Sequence, residues 1–195
     1  MKNDFVPRSL AEALAGLWLT RRYGFTSRIR ILFYRQLGMC IGRRCRMERV
    51  RIRRPSQIVI GDGNAFSEGC WLWPEDRPYE GVRIRIGHSN YFNRDVMIDA
   101  CGLIEIGDHN MFGPGVYLTD SNHRIDANAW ITGSGMDVGR LVVGNGCWIG
   151  ARAVLLKDVV LGDRCVVGAG AVVTHSFPPG SVVAGVPARL LRSIG

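Results

Sequence analysis

The sequence predicts an all-β chain wound into a parallel coil of short flat strands, with a helical segment before it and one long loop projecting from it. Three observations carry that expectation. Apolar residues return every sixth position over long stretches. The beat stops after His123 and resumes only near Val143. Ahead of the first beat, apolar residues instead recur at helical spacing among arginines.

The N-terminal segment, residues 1–40, opens with "SLAE", a capping box of Ser9 and Glu12. Leu10, Leu14, Leu17 and Trp18 follow at helical spacing, which predicts a first helix. A second is expected from about Ser27 to Gln36, stopping at Gly38. Two roles are open for these helices. They cap the open end of the coil, or Leu14, Leu17, Trp18, Phe25, Ile29 and Phe33 dip into a membrane surface.

The coil is expected over residues 41–180. From Val143 it reads "VGNGCW / IGARAV / LLKDVV / LGDRCV / VGAGAV / VTHSFP". Val143, Ile149, Leu155, Leu161, Val167 and Val173 mark the beat, and a compact residue such as Cys147, Ala153 or Cys165 comes four positions on. Earlier copies begin at Ile41, Ile60, Ile86 and Ile106. A period of six fits neither a 3.6-residue helix nor an alternating strand; it fits stacked coils of three short strands joined by turns. Cys45, Cys70, Cys147 and Cys165 fall in the inward compact slot and so read as packing residues. The cysteines form no metal-type CxxC pair, and their use points to a reducing compartment.

Three breaks interrupt the beat: Trp73–Arg85, Ala100–Glu105 and the long loop 124–142. A long loop on a rigid repeat scaffold is a common place for function. Residues 181–195 form a C-terminal tail.

Composition sets outer limits. The 195 residues suffice for one domain, and 47% are hydrophobic against 22% charged. No run of 18 apolar residues occurs, and the N-terminus reads as mature protein rather than a cleaved signal. Charge is uneven: residues 1–55 hold 14 Lys/Arg against 3 Asp/Glu, and the remainder holds 11 against 14. A basic face of this kind attracts nucleic acid, an anionic membrane or an anionic substrate, or is simply solvated. No RNA- or DNA-binding signature accompanies it, so nucleic acid is not an expected partner.

The repeats, the break at "TDSNH", the segment "YFNRDVMID" and the ending "AGVPARLLR" together resemble the hexapeptide-repeat acyltransferases, in particular galactoside, maltose and surface-polysaccharide O-acetyltransferases. The resemblance covers roughly residues 41–192. It implies a left-handed parallel β-helix, acetyl-CoA as acyl donor, a saccharide acceptor and a homotrimer with its active sites between subunits. It implies His123 as the catalytic base, with Asn93 orienting the acceptor and Asp99 and Asp120 binding the acceptor or orienting the imidazole. A neutral imidazole, with an ordinary pKa near 6.5, accepts a hydroxyl proton at neutral pH. The acetyl-CoA end would include Trp148, Gly150, Ala151, Gly168, Ala169, Thr174, His175, Arg189 and Arg192. Family members often carry serine where this chain has Ala151, which leaves a backbone N–H as oxyanion donor there.

No metal is required. A γ-class carbonic anhydrase shares the fold but needs a zinc-histidine pair close in sequence, and His88, His109 and His123 are 21 and 14 apart. His88 and His109 are expected on turns. Two other readings stay open: an N-acyltransferase acting on an amino sugar nucleotide, and a non-catalytic basic scaffold. The expected location is the cytoplasm, with contact at the inner membrane face as an alternative.

Overall fold

The computed structural model describes residues 24–75, 81–128 and 130–194. The expected first helix lies outside the described residues. Of the second, residues 24–36 are helical, and Ser27 lies inside the helix rather than at its start. Ser27 is buried, and its hydroxyl accepts the Met47 N–H at 2.8 Å. Gly38, at φ +90°, supplies the left-handed residue that ends the helix.

Beyond the helix the chain is a three-sided coil. One face runs from Cys40–Ile41 through Ile58–Ile60, Ile84–Ile86, Leu103–Ile106 and Arg140–Val143 to Val160–Leu161. The second begins at Arg46–Met47 and the third at Arg51–Ile52, and each grows by one strand per turn. Neighbouring strands are parallel and in register. Val143 pairs with Leu161, Trp148 with Val166 and Val154 with Val172. The described part of the tail adds to the second face: Ser181–Gly185 pairs parallel with Val166 and Val167, and Ala188–Ser193 folds back antiparallel on it.

The sixfold beat becomes vertical columns. Ile60, Ile86, Ile106, Val143 and Leu161 stack inside the first face, all buried. On the second face Phe66, Phe92 and Phe112 stack with ring centroids 4.5 and 4.7 Å apart. Each such side chain removed from water contributes about 1.5–3 kcal/mol. Cys70, Cys147 and Cys165 are buried in the inward slots, and Cys45 is half-buried. Burial pushes the Cys70 thiol up to about 12 and that of Cys147 to about 11, so neither is poised as a nucleophile.

The middle coils use a device the periodicity does not announce. Asn64, Asn90 and Asn110 occupy the compact slot, fully or almost fully buried. The Asn64 side-chain oxygen accepts the Asn90 N–H, that of Asn90 accepts the Asn110 N–H, and that of Asn110 accepts the Cys147 N–H at 2.6 Å. This amide ladder satisfies backbone donors at the corner, where strand pairing stops.

The helix covers the first coil. Ile31 enters the core, while Arg30 donates to the Met47 and Glu48 carbonyls and Arg35 to those of Ile41 and Gly42. Those carbonyls belong to the first turn, which among the described residues has no coil before it to pair with.

Candidate functional site

The long break after Asp120 is built as a hairpin. Ser121–His123 pairs antiparallel with Met136–Val138, and His123 lies opposite Met136. Its base is fixed from several sides. Asp120 is fully buried, and its two carboxylate oxygens accept the N–H groups of Cys101 and Gly102 at 2.8 and 2.9 Å. Its own carbonyl accepts the Gly139 N–H at 2.7 Å, tying the returning strand to the same point. Burial raises the Asp120 pKa, and the two N–H donors oppose that rise. On the other side of the 100–102 turn, the buried Arg83 donates to the carbonyls of Ala100 and Cys101. Gly102 allows the close approach: a Cβ there would meet the Gly139 carbonyl oxygen at 2.6 Å. Lys157 completes the frame with an ion pair to Asp137 of the hairpin at 2.9 Å.

His123 is exposed on this hairpin. With Arg124, Asp126, Ser134 and Asp137 it bounds an open groove of about 910 Å³. Neither Asn93 nor Asp99 lines that groove. Asn93 sits at the corner between the second and third faces, where its side-chain oxygen accepts the Arg94 N–H at 2.8 Å. Asp99 lies on the third face, between Trp73 and Thr119 in register. The Tyr117 hydroxyl donates to one of its oxygens at 2.9 Å, and the other is buried without a partner. Burial is the main reason its pKa is raised; the Glu75 charge adds to the effect and the Tyr117 bond opposes it. The carboxyl is therefore half-buried, partly satisfied and next to an aromatic ring. The Arg53 guanidinium stands 5.1 Å over the Trp73 ring.

The expected acyl-donor residues fall on one corner and on the end of the coil. Asn93, Gly113, Gly150 and Gly168 are successive steps of the corner between the second and third faces, each N–H donating to the carbonyl one turn on. Three of the four are glycines, so the corner carries a strip without side chains. A Cβ on Gly150 would meet the Ala169 nitrogen at 2.5 Å, and one on Gly168 the Ala184 Cβ at 2.8 Å. Ala151 and Ala169 follow this strip, half-buried and exposed respectively. Trp148 is 58% exposed beside it. Thr174 and His175 share a 3.2 Å hydrogen bond on the exposed turn after Val172–Val173, and Arg189 and Arg192 lie exposed on the final antiparallel strand. The groove at His123 contains none of these residues.

His88 and His109 sit on corners as expected: His88 accepts the Asp62 N–H at 3.0 Å, and His109 takes a left-handed turn position at φ 58°. Among the described residues no group of His, Cys, Asp and Glu is arranged to hold a metal ion. Arg83 and Trp73 leave little mark in the periodicity. Arg83 lies beside the repeat position Ile84, where an arginine reads as surface. Trp73 opens the first break, where the beat gives no register. The short run "WLWP", alternating about a buried Leu72, is the one available signal for Trp73.

A family model described as bacterial transferase hexapeptide (six repeats) matches residues 141–175. The galactoside O-acetyltransferase of Escherichia coli is 35% identical over 127 residues, 65% of this chain and 62% of the relative. An Escherichia coli protein named as a lipopolysaccharide biosynthesis O-acetyl transferase is 28% identical over 186 residues, 90% of this chain and 93% of the relative. A galactoside acetyltransferase solved in complex with coenzyme A superposes with a TM-score of 0.60 at 27% identity, covering 80% of this chain and 65% of that one. The chain spans a little under two thirds of the length of the first curated relatives it matches. With its hexads over residues 141–175 and its three parallel faces, the chain carries bacterial transferase hexapeptide repeats on a stacked coil and is similar in sequence and fold to the hexapeptide-repeat acetyltransferases named above.

Proposed function

We propose that the chain is an acetyl-CoA-dependent O-acetyltransferase acting on a saccharide hydroxyl, with His123 as general base. The carrying observation is the exposed imidazole of His123 on a hairpin braced by Asp120, Arg83 and Lys157, at the wall of an open groove. In this reading the imidazole takes the acceptor's O–H proton as the oxygen attacks the thioester carbonyl. The tetrahedral oxyanion collapses, the C–S bond breaks, and the imidazolium returns its proton to the coenzyme A thiolate. An ester and free thiol result, with no covalent enzyme intermediate. Asp120 is already engaged by two backbone N–H groups, so its role becomes that of a loop anchor rather than an acceptor ligand. Asp99 keeps the acceptor role: its half-buried carboxyl stands in register beside Trp73, which joins a hydroxyl acceptor to an aromatic ring.

The glycine strip, with Ala151 and Ala169 beside it, takes the pantetheine arm. Trp148, Thr174 and His175 flank it, and Arg189 and Arg192 pair with the phosphates. The His123 groove is lined by none of the strip residues, as expected of a homotrimer in which one copy's histidine faces a neighbour's strip. The relative that aligns over 90% of this chain, named for lipopolysaccharide biosynthesis, supports a surface-polysaccharide acceptor. The test is a screen with acetyl-CoA against free galactosides, nucleotide sugars and lipid-linked glycans, following thiol release and product mass. A base-labile acetyl ester on one acceptor, lost in His123→Ala, is the expected result. A base-stable acetyl amide on an amino sugar would move the reading to N-acyl transfer, and thiol release in no arm would overturn it.

A further inference from the structure

Helix 24–36 has two apolar sides. Ile31 faces the coil. On the other side Phe25, Ile29, Leu32, Phe33 and Leu37 follow one another at helical spacing, 48–66% exposed. Capping the coil uses only the first side. Around the second, residues 24–54 contain ten arginines and a single acidic residue, Glu48. Several of these arginines are engaged with the protein: Arg30 and Arg35 hold carbonyls, Arg49 pairs with Glu68, and Arg51 lies over Trp71. Arg28, Arg43, Arg44 and Arg46 are exposed, and no carboxylate pairs with them among the described residues. Arg28, Arg35, Arg43 and Arg44 also converge on a groove of about 380 Å³ between the helix and the first turn, with Leu32 on its wall. An apolar ridge beside unpaired cations is the complement of one kind of partner, an acyl layer beneath anionic phosphates.

We propose that this end of the coil, helix 24–36 with turn 42–46, docks on an anionic lipid surface. Phe25, Ile29 and Phe33 enter the interface, and Arg28, Arg43 and Arg44 meet the phosphates. The surface lies at the N-terminal end of the coil, whereas the acyl-donor residues assigned above lie toward the C-terminal end. A chain seated this way keeps that end in water. The inference is independent of the acyl-transfer reading.

The test is co-sedimentation of the full chain with phosphatidylcholine vesicles, alone or with a minority of phosphatidylglycerol, at low and high salt. Expected is binding to the anionic vesicles only, weakening as salt rises. Each basic residue near such a surface strengthens binding about fivefold, so Arg43→Gln with Arg44→Asn weakens it roughly 25-fold. Phe25→Ser with Phe33→Ser removes the binding that survives at high salt, with melting temperature and particle mass unchanged. Equal binding to neutral vesicles, no sedimentation at low salt, or variants that bind like the parent would each overturn the proposal. So would a change of particle mass in the Phe25/Phe33 variant, which would make the ridge a contact between copies. Retention of RNA without retention of vesicles would reassign the face to nucleic acid.

Discussion

The coils after Val143 and the hairpin before it answer one demand by opposite means. Every strand that ends must hand its backbone polar groups to a partner. Along the faces after Val143 the strand partner is the equivalent residue one turn on, as in Trp148 to Val166 and Val154 to Val172. Between Asp120 and Gly139 no such residue exists: the segment pairs with itself, Ser121–His123 against Met136–Val138, and side chains fix its base to the coil. Asp120 takes two N–H groups, Arg83 takes two carbonyls, and Lys157 holds Asp137. A repeat spreads its support over many equal contacts. The hairpin rests on a few unequal ones, and His123 stands on it. The difference predicts that substitutions in the repeat change stability, whereas those at the hairpin change turnover.

The largest effect expected is at His123 itself. His123→Ala lowers turnover by about 10²–10⁴-fold, the usual range for losing a general base. The side chain is exposed, so the melting temperature stays within experimental error of the parent. Turnover near that of the parent would remove His123 from the mechanism.

Next is the anchor. Asp120→Asn replaces an acceptor of two N–H groups with an amide that accepts only one and turns an NH₂ toward the other. The hairpin then sits less firmly, and displacement of about 1 Å costs on the order of 10²-fold in rate. The fall should appear in kcat with the KM for acetyl-CoA nearly unchanged, because the assigned donor strip is not attached to this turn. A loss confined to KM would break the link between Asp120 and the imidazole.

The matching substitution in the repeat is Gly144→Ala. A Cβ at Gly144 would meet the Asp163 nitrogen at 2.8 Å and the Gly162 carbonyl carbon at 2.9 Å, both backbone atoms that cannot turn away. Overpacking of this order costs about 1–3 kcal/mol, read from the midpoint of urea unfolding. Turnover per folded molecule should hold. If turnover falls as far as it does in Asp120→Asn, the division between scaffold and hairpin fails.

That division also explains what the sequence discloses. A stacked repeat writes its geometry into composition, because every inward column needs the same residue class in each turn. Ile60, Ile86, Ile106, Val143 and Leu161 therefore announce the fold unaided. The asparagine ladder was less visible, since its amides replace the compact residue without disturbing the beat. The hairpin was legible only as an absence of rhythm. Nothing in the spacing says that Asp120 bonds Cys101 and Gly102, or that Arg83 is buried behind them. Those contacts join residues 18 to 19 apart, or 17 to 18 for Arg83, across a break in register. The resemblance pointed to His123, Asn93 and Asp99, and the structure adds what each one touches.

The smallest expected effect is the most discriminating for the acceptor side, because its sign is opposite to that of an ordinary structural residue. Asp99 has a pKa raised mainly by burial, and one of its oxygens lacks a partner. A carboxyl whose folded pKa lies above its unfolded value, about 3.9, favours folding only while protonated. That contribution is fully present below the unfolded pKa and is lost as pH rises through the folded one. At neutral pH the ionised Asp99 therefore works against the fold. Asp99→Asn keeps an oxygen for the Tyr117 hydroxyl and removes the charge. It should raise the melting temperature near pH 7, and the gain should shrink as pH falls toward the unfolded value, as scanning calorimetry at pH 7 and pH 4 would show. At the same time the variant should turn over a saccharide acceptor more slowly. A carboxylate kept at a site where an amide is more stable is one held for binding rather than for folding. If Asp99→Asn instead lowers stability at neutral pH, Asp99 belongs with Asp120 to the scaffold, and the acceptor must be sought elsewhere on the third face.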